Sequence, residues 1–227
     1  MTGMDNPPGS ESLAAEAVGL GDGTHRAVLG IAGSPGAGKS TLVELLAARI
    51  RQMRGPGWVA HVPMDGFHLA DAQLRRLGLL DRKGAPETFD AVGYAHALHR
   101  IRTDVDSDVY VPGFDRDLEQ PLAAALVVPA SARLVLTEGN YLLLDQPAWR
   151  RVRRSLDQTW FVSADDSLRV ERLIARHVEF GKTAAAARAW ADTVDEANAA
   201  LVTSTAASAD RIVVNGTRGW SFGACLR

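Results

Sequence analysis

The run Gly33-Ser34-Pro35-Gly36-Ala37-Gly38-Lys39-Ser40 matches the pattern G-x-x-x-x-G-K-[ST] without a gap. The apolar run 26–32 before it predicts a strand, and the run 41–50 after it predicts a helix. Glycines let the backbone amides of such a loop point at phosphate oxygens, and the start of the following helix adds partial positive charge. The loop therefore predicts a site for the phosphates of a nucleoside triphosphate.

Individual side chains of this loop have distinct expected roles. Lys39 can reach the β- and γ-phosphates, and the Ser40 hydroxyl can bind Mg²⁺. The predicted nucleotide-binding residues are Gly33, Ser34, Pro35, Gly36, Ala37, Gly38, Lys39, Ser40 and Thr41. A glycine-rich turn that matches by chance is the alternative, and the strand and helix on either side argue against it.

Composition narrows the class of protein. The 227 residues are 46% hydrophobic and 23% charged, with a formal net charge of −2, which favours one α/β domain without a nucleic-acid partner. No apolar run is long enough to predict a membrane span. The single cysteine, Cys225, excludes a disulfide framework and is consistent with a reducing cytoplasm. Residues 1–24 predict a flexible tail with a short helix near 12–18, and residues 25–227 predict the folded domain.

Predicted strands alternate with predicted helices along the rest of the chain. The further strands are predicted at 58–63, 108–112, 133–137, 158–162 and 211–214. Such alternation favours an α/β fold with a mainly parallel, doubly wound sheet between two layers of helices, as in P-loop nucleotide-binding proteins.

Two acidic residues directly follow predicted strands. Asp65 and Glu138 are therefore expected beyond the carboxyl ends of parallel strands, where such sheets bind ligands. Asp65 is the candidate base that accepts the proton of an acceptor hydroxyl, and Glu138 is the candidate Mg²⁺ ligand beside Ser40. The alternatives are a turn residue before Gly66 for Asp65, and a helix or turn cap for Glu138.

A group of basic residues suggests a lid. Arg169, Arg172 and Arg176 share one face of a predicted helix, and Lys182 lies just beyond a glycine. A cationic helix end beside a hinge can close over a triphosphate, so Arg176 and Lys182 are predicted to bind phosphate from a helical lid at about 176–184. Arg169 is instead expected to pair with an aspartate on a solvated helix face.

Several blocks of sequence between about residues 25 and 215 form a joint pattern. They are the loop 33–40, Met64-Asp65-Gly66-Phe67-His68, the segment 83–90, the segment 110–116, the segment 138–144 and Arg176-His177-Val178. Together they resemble the superfamily of uridine kinase, phosphoribulokinase and bacterial pantothenate kinase. The resemblance is strongest to its bacterial branch labelled fructose transport system kinase or pantothenate-kinase-related.

The resemblance implies an ATP- and Mg²⁺-dependent kinase that acts on a hydroxyl of a small molecule. It gives Asp65 the role of catalytic base and Arg176 that of a lid arginine, and it places the acceptor near segments 83–90 and 110–116. The candidate acceptor contacts are His68, Tyr110, Arg116 and Tyr141. The alternatives are a helix cap for His68, a core aromatic for Tyr110, and pairing with a neighbouring aspartate for Arg116.

The motifs leave the acceptor and part of the function open. Gly66, His68 and Pro112 depart from the uridine kinase pattern, and His177 stands where uridine kinases carry a lid aspartate. A sugar such as fructose is favoured, and a nucleoside or pantothenate stays open. The competing function is a nucleotide-dependent switch or hydrolase that acts with a protein partner. None of these motifs encodes the oligomeric state, for which a homodimer is the commonest expectation.

Overall fold

Strands and helices alternate as the sequence predicts. The computed structural model describes residues 9–217 and 219–223, so Cys225 lies outside the described residues. The strands are β1 (Ala27–Gly33), β2 (Val59–Pro63), β3 (Val109–Asp115), β4 (Gln120–Val128), β5 (Leu134–Gly139), β6 (Gln158–Ala164), β7 (Arg211–Gly216) and β8 (Gly219–Phe222). The helices are α1 (Ser10–Gly21), α2 (Lys39–Arg54), α3 (Asp71–Leu77), α4 (Ala91–Thr103), α5 (Pro147–Arg153), α6 (Asp166–Glu179), α7 (Ala184–Trp190) and α8 (Glu196–Thr203).

The main sheet has the strand order β2-β5-β1-β6-β7-β8. Its strands are parallel except for β8, which runs antiparallel to β7. Every residue of β1 is buried, as expected for a strand covered on both faces. One apolar cluster joins the sheet to α1 and α2, and another joins its opposite face to α4 and α5. The predicted α/β fold with a mainly parallel sheet is confirmed.

The segment that follows α4 differs from the prediction. β3, expected as a strand at 108–112, pairs only with β4 in a separate antiparallel hairpin within the described residues. The sequence did not indicate β4, because its run of small apolar residues lacks the alternation typical of a half-buried strand. Val109 and Val111 anchor the hairpin in the core below it. The hairpin thereby brings residues 114–119 over the end of β2.

The predicted flexible tail is wrong over residues 10–21, which form α1. Leu13, Ala14, Ala17 and Val18 lie on one face of this helix and are buried in the apolar cluster shared with α2. The expected short helix is therefore longer, and it is part of the core because its apolar stripe finds a partner surface. Residues 1–8 of the predicted tail lie outside the described residues.

The segment predicted as a lid includes the end of α6, a turn at Gly181 and the start of α7. Gly181 has a φ of 94°, a left-handed conformation that favours glycine. The residues after this turn form α7, a π-helical turn at Ala191–Asp195, and α8. Within residues 9–217 and 219–223, no helix is both long and apolar enough to cross a membrane.

We expect Leu13→Ala to lower the free energy of unfolding by about 2–5 kcal/mol, the range for truncation of a buried leucine. The reason is that Leu13 is fully buried between α1 and α2. Urea unfolding followed by circular dichroism measures the effect. Gly19→Ala is the control in the same helix, since a side chain there meets no other atom and alanine favours the helix. A Leu13→Ala variant as stable as the wild type would contradict the placement of α1 in the core.

Candidate active site

The backbone path of the loop between β1 and α2 requires glycine at two positions. Gly36 and Gly38 have φ angles of 78° and 98°, in the left-handed region. A Cβ atom at Gly36 would lie 2.6 Å from the carbonyl oxygen of Arg169, and one at Gly38 would lie 2.5 Å from Nδ2 of Asn215. Only glycine therefore allows this backbone path, which lets the loop wrap an anionic group at the start of α2.

Lys39 is buried at the base of this loop. Its ammonium donates hydrogen bonds to the carbonyl oxygen of Ser34 at 3.1 Å and to Oδ1 of Asn140 at 2.7 Å. Burial lowers the pKa of Lys39 to about 8, and the carboxylates of Glu138 and Asp65 oppose that effect. The site therefore holds a desolvated cation beside two carboxylates, which suits it to polyphosphate. The sequence did not single out Asn140, although it lies in the block 138–144.

Glu138 and Ser40 form the second half of the phosphate region. The Ser40 hydroxyl donates a hydrogen bond of 3.2 Å to Oε1 of Glu138. Burial raises the pKa of Glu138 to about 6, and the nearby charge of Asp65 adds to this effect. A hydroxyl and a buried carboxylate are the oxygen ligands that Mg²⁺ prefers, so this donor set fits the ion predicted from the sequence.

Asp65 lies just beyond β2, as the sequence predicts, and Arg116 of the β3–β4 hairpin pairs with it. Nη2 of Arg116 is 2.6 Å from Oδ2 of Asp65. Burial raises the pKa of Asp65, but the charge of Arg116 and of further neighbours such as Lys39 outweighs burial and holds the pKa below its ordinary value. Asp65 is thus ionised at neutral pH, and Arg116 pairs with it rather than with its neighbours Asp115 and Asp117.

These groups line one cavity of about 400 Å³. Of the residues predicted from the sequence, the lining includes Pro35, Gly36, Lys39, Ser40, Asp65, His68, Arg116, Glu138, Arg176 and Lys182. The Ser34 hydroxyl points instead at α8, where it hydrogen-bonds Thr203 at 3.1 Å. Thr41 is exposed on the first turn of α2 and does not line the cavity. The roles of Ser34 and Thr41 in nucleotide binding stay predictions.

Aromatic rings form one wall of the cavity next to Asp65. The ring of His68 stacks on Phe89, with centroids 3.8 Å apart, and lies 5.3 Å from the ring of Phe114. Burial lowers the pKa of His68 to about 4, so its imidazole is neutral at pH 7. The alternative role of His68 as a cap is wrong, since no side chain caps the start of α3.

Two of the predicted acceptor contacts lie outside the cavity. Tyr110 is 59% exposed, because side chains alternate along a strand and its neighbours Val109 and Val111 face the core. Tyr141 is fully buried, and its hydroxyl donates a hydrogen bond of 2.5 Å to the carbonyl oxygen of Gly84. The expectation that these tyrosines contact substrate is therefore corrected: Tyr110 faces solvent, and Tyr141 supports the segment 83–90 from below.

Three basic residues of α6 and of the turn before α7 differ in their surroundings: Arg169, Arg176 and Lys182. The side chain of Arg176 forms no hydrogen bond or ion pair within the described part of the chain, and Nζ of Lys182 lies 4.7 Å from the ring centroid of Trp190. Arg169 pairs with Asp166 at 3.1 Å, which confirms the expected partner. The solvated face expected for Arg169 is wrong, because the side chain is only 3% exposed and also pairs with Glu196.

A glycine-rich phosphate loop, a buried lysine and a pair of carboxylates at the carboxyl edge of a parallel sheet define a P-loop phosphotransferase. Residues 28–218 match the model of the PRK family, the Phosphoribulokinase / Uridine kinase family. The chain belongs to this family, and it is a kinase that uses ATP.

Individual relatives agree with this assignment. The chain is 32% identical over 175 residues to "Putative uridine kinase C227.14" of Schizosaccharomyces pombe, covering 75% of this chain and 74% of that protein. It is 35% identical over 189 residues to "Uncharacterized protein YggC" of Escherichia coli (strain K12), covering 83% and 78%. The crystal structure of a "putative fructose transport system kinase from Silicibacter sp. TM1040" has a TM-score of 0.77 at 35% identity, covering 86% of this chain and 94% of that chain.

We expect the stability of the unliganded protein to fall between pH 6.5 and pH 4 partly because of His68. Its pKa in the folded state is about 4, below the ordinary value of 6.5. Unfolding therefore takes up a proton in this range, and stability that is complete above pH 6.5 is lost as the pH falls towards 4. His68→Phe keeps the ring stacking and cannot titrate. Between pH 6.5 and pH 4 its free energy of unfolding in urea should therefore fall by about 1–3 kcal/mol less than that of the wild type. Parallel curves for the two proteins would contradict this expectation.

Proposed function

We propose that the protein transfers the γ-phosphoryl group of ATP to a hydroxyl of a small, uncharged metabolite, with a sugar such as fructose favoured. The observation that carries this proposal is the shared cavity of Asp65, Lys39 and Glu138. An ionised carboxylate thus stands beside a site suited to triphosphate. Such an arrangement serves transfer to an organic hydroxyl.

Three cations, Lys39, Arg176 and Lys182, line the nucleotide side of the cavity. ATP supplies the phosphoryl group, and Mg²⁺ held by Ser40 and Glu138 would neutralise part of its charge. Lys39 binds the β- and γ-phosphates from below, through an ammonium already fixed by two hydrogen bonds. Arg176 and Lys182 approach from the lid. Their positive charge stabilises the transferring group, and closure of the lid excludes water.

Asp65 orients the acceptor and takes its proton. The acceptor oxygen forms a bond to the γ-phosphorus, the bond from that phosphorus to the β-phosphate oxygen breaks, and ADP departs with the electron pair. The proton of the acceptor hydroxyl passes to Asp65. Because the transition state is loose, the low pKa of this carboxylate is compatible with the role, and its position matters more than its basicity.

The charges on the acceptor side favour an uncharged acceptor. Arg116 is paired with Asp65, and Nζ of Lys83 is paired with Asp71 at 2.8 Å. An acceptor with a carboxylate or phosphate would have to compete with these partners, which argues against pantothenate. The names of two relatives, a fructose transport system kinase and a uridine kinase, refer to uncharged compounds. The aromatic wall of His68 and Phe89 suits the apolar face of a sugar ring.

We expect Asp65→Asn to reduce acceptor phosphorylation by about 10²–10⁴-fold, the range for loss of a positioned base. The affinity for ATP should stay near the wild-type value, because Asp65 is not part of the phosphate loop. A coupled assay of ADP release with saturating acceptor measures the rate, and calorimetry measures ATP binding. Asp81→Asn is the matched control, since Asp81 is exposed on the turn after α3. Unchanged turnover in Asp65→Asn would remove this residue from the mechanism.

The acceptor class is tested by the same assay with a panel of compounds. We expect fructose or another uncharged sugar to stimulate ADP release more than nucleosides, and far more than pantothenate or sugar phosphates. Stimulation only by an anionic acceptor would overturn the charge argument. Slow ADP release that no acceptor changes, together with nucleotide-dependent capture of a protein, would favour the switch or hydrolase instead.

A further inference from the structure

Asn140 stands between the nucleotide and acceptor sides of the cavity. It follows β5 directly and lies two residues after Glu138, and both residues line the cavity. Gly139 separates them, and a Cβ atom there would lie 2.5 Å from the side chain of Met64. The turn that carries Asp65 therefore packs tightly against this end of β5, and Asn140 lines the cavity that Asp65 also lines.

Hydrogen bonding fixes the orientation of the Asn140 amide. An ammonium only donates, so the atom 2.7 Å from Nζ of Lys39 must be the amide oxygen. The amide nitrogen therefore points away from Lys39. The hydroxyl of the neighbouring Tyr141 donates to the carbonyl oxygen of Gly84, so it does not compete with Lys39 for the amide oxygen. Both N–H groups of Asn140 lie on the side of the amide that faces away from Lys39.

We propose that an N–H of the Asn140 amide donates a hydrogen bond to the phosphoryl group during its transfer, which makes Asn140 a catalytic residue. The inference rests on the proposed function. The hydrogen bond from Lys39 fixes the amide before substrate arrives, so this donor needs no reorganisation as charge shifts onto the transferring oxygens. Lys39 and Asn140 then contact the same group from adjacent positions, while Asp65 takes the proton on the acceptor side.

Two variants at this position distinguish the N–H groups of Asn140 from its amide oxygen, which accepts the hydrogen bond of Lys39. Asn140→Asp keeps an oxygen that accepts from Lys39 and removes the N–H groups, whereas Asn140→Ala removes both. Both should lose about 10²–10³-fold in turnover, as for loss of one preorganised donor, and should lose less in affinity for ADP. Tyr141→Phe keeps both N–H groups and should lose less than about tenfold. Gln52→Ala, at an exposed amide on α2, is the control.

The decisive measurement is calorimetric binding of Mg²⁺, ADP and fluoroaluminate, which mimics the transferring phosphoryl group and needs no acceptor. We expect Asn140→Ala to weaken the fluoroaluminate complex by about 10²-fold or more relative to the ADP complex. Equal loss in the two complexes, no loss, or the same loss in Tyr141→Phe would overturn the inference. A wild type that binds fluoroaluminate but phosphorylates no acceptor would contradict the proposed function alone.

Discussion

The site depends on the burial of one cation, Lys39, between two carboxylates at the edge of the sheet. The desolvated ammonium of Lys39 is stable there because Ser34 and Asn140 accept hydrogen bonds from it. Glu138 and Asp65 supply the opposite charge. Burial moves the pKa of Lys39 down and that of Glu138 up, so burial of each charged group costs free energy. Anionic phosphate and the proposed Mg²⁺ would offset this cost.

Two ion pairs stabilise the part of the cavity around Asp65. Arg116 reaches Asp65 from the β3–β4 hairpin, and Lys83 reaches Asp71 at the start of α3. These pairs fix the acceptor side through side chains that are far apart in the sequence. They also neutralise positive charge on that side, and in the proposed function the side chains of Arg176 and Lys182 bind the triphosphate. The division of charge across one cavity is the physical basis for the proposed uncharged acceptor.

Local pattern predicted the elements whose signals lie within a few residues. The strands predicted at 133–137, 158–162 and 211–214 correspond to β5, β6 and β7. The pattern failed where long-range packing decides. It took α1 for part of a tail because its apolar stripe needs α2 as a partner, and it missed β4 because that strand exists only by pairing with β3.

The sequence by itself determined the phosphate loop, the family, and the placement of Asp65 and Glu138 at the ends of strands. Those features follow from short-range spacing and from the rule that parallel strands end at one edge. Only the tertiary structure decided which side chains face the cavity. In this structure Tyr110 faces solvent, Tyr141 is buried in the core, and Asn140 hydrogen-bonds Lys39. Such choices depend on contacts between segments more than 50 residues apart, as in the pair of Lys39 and Asn140, which are 101 residues apart.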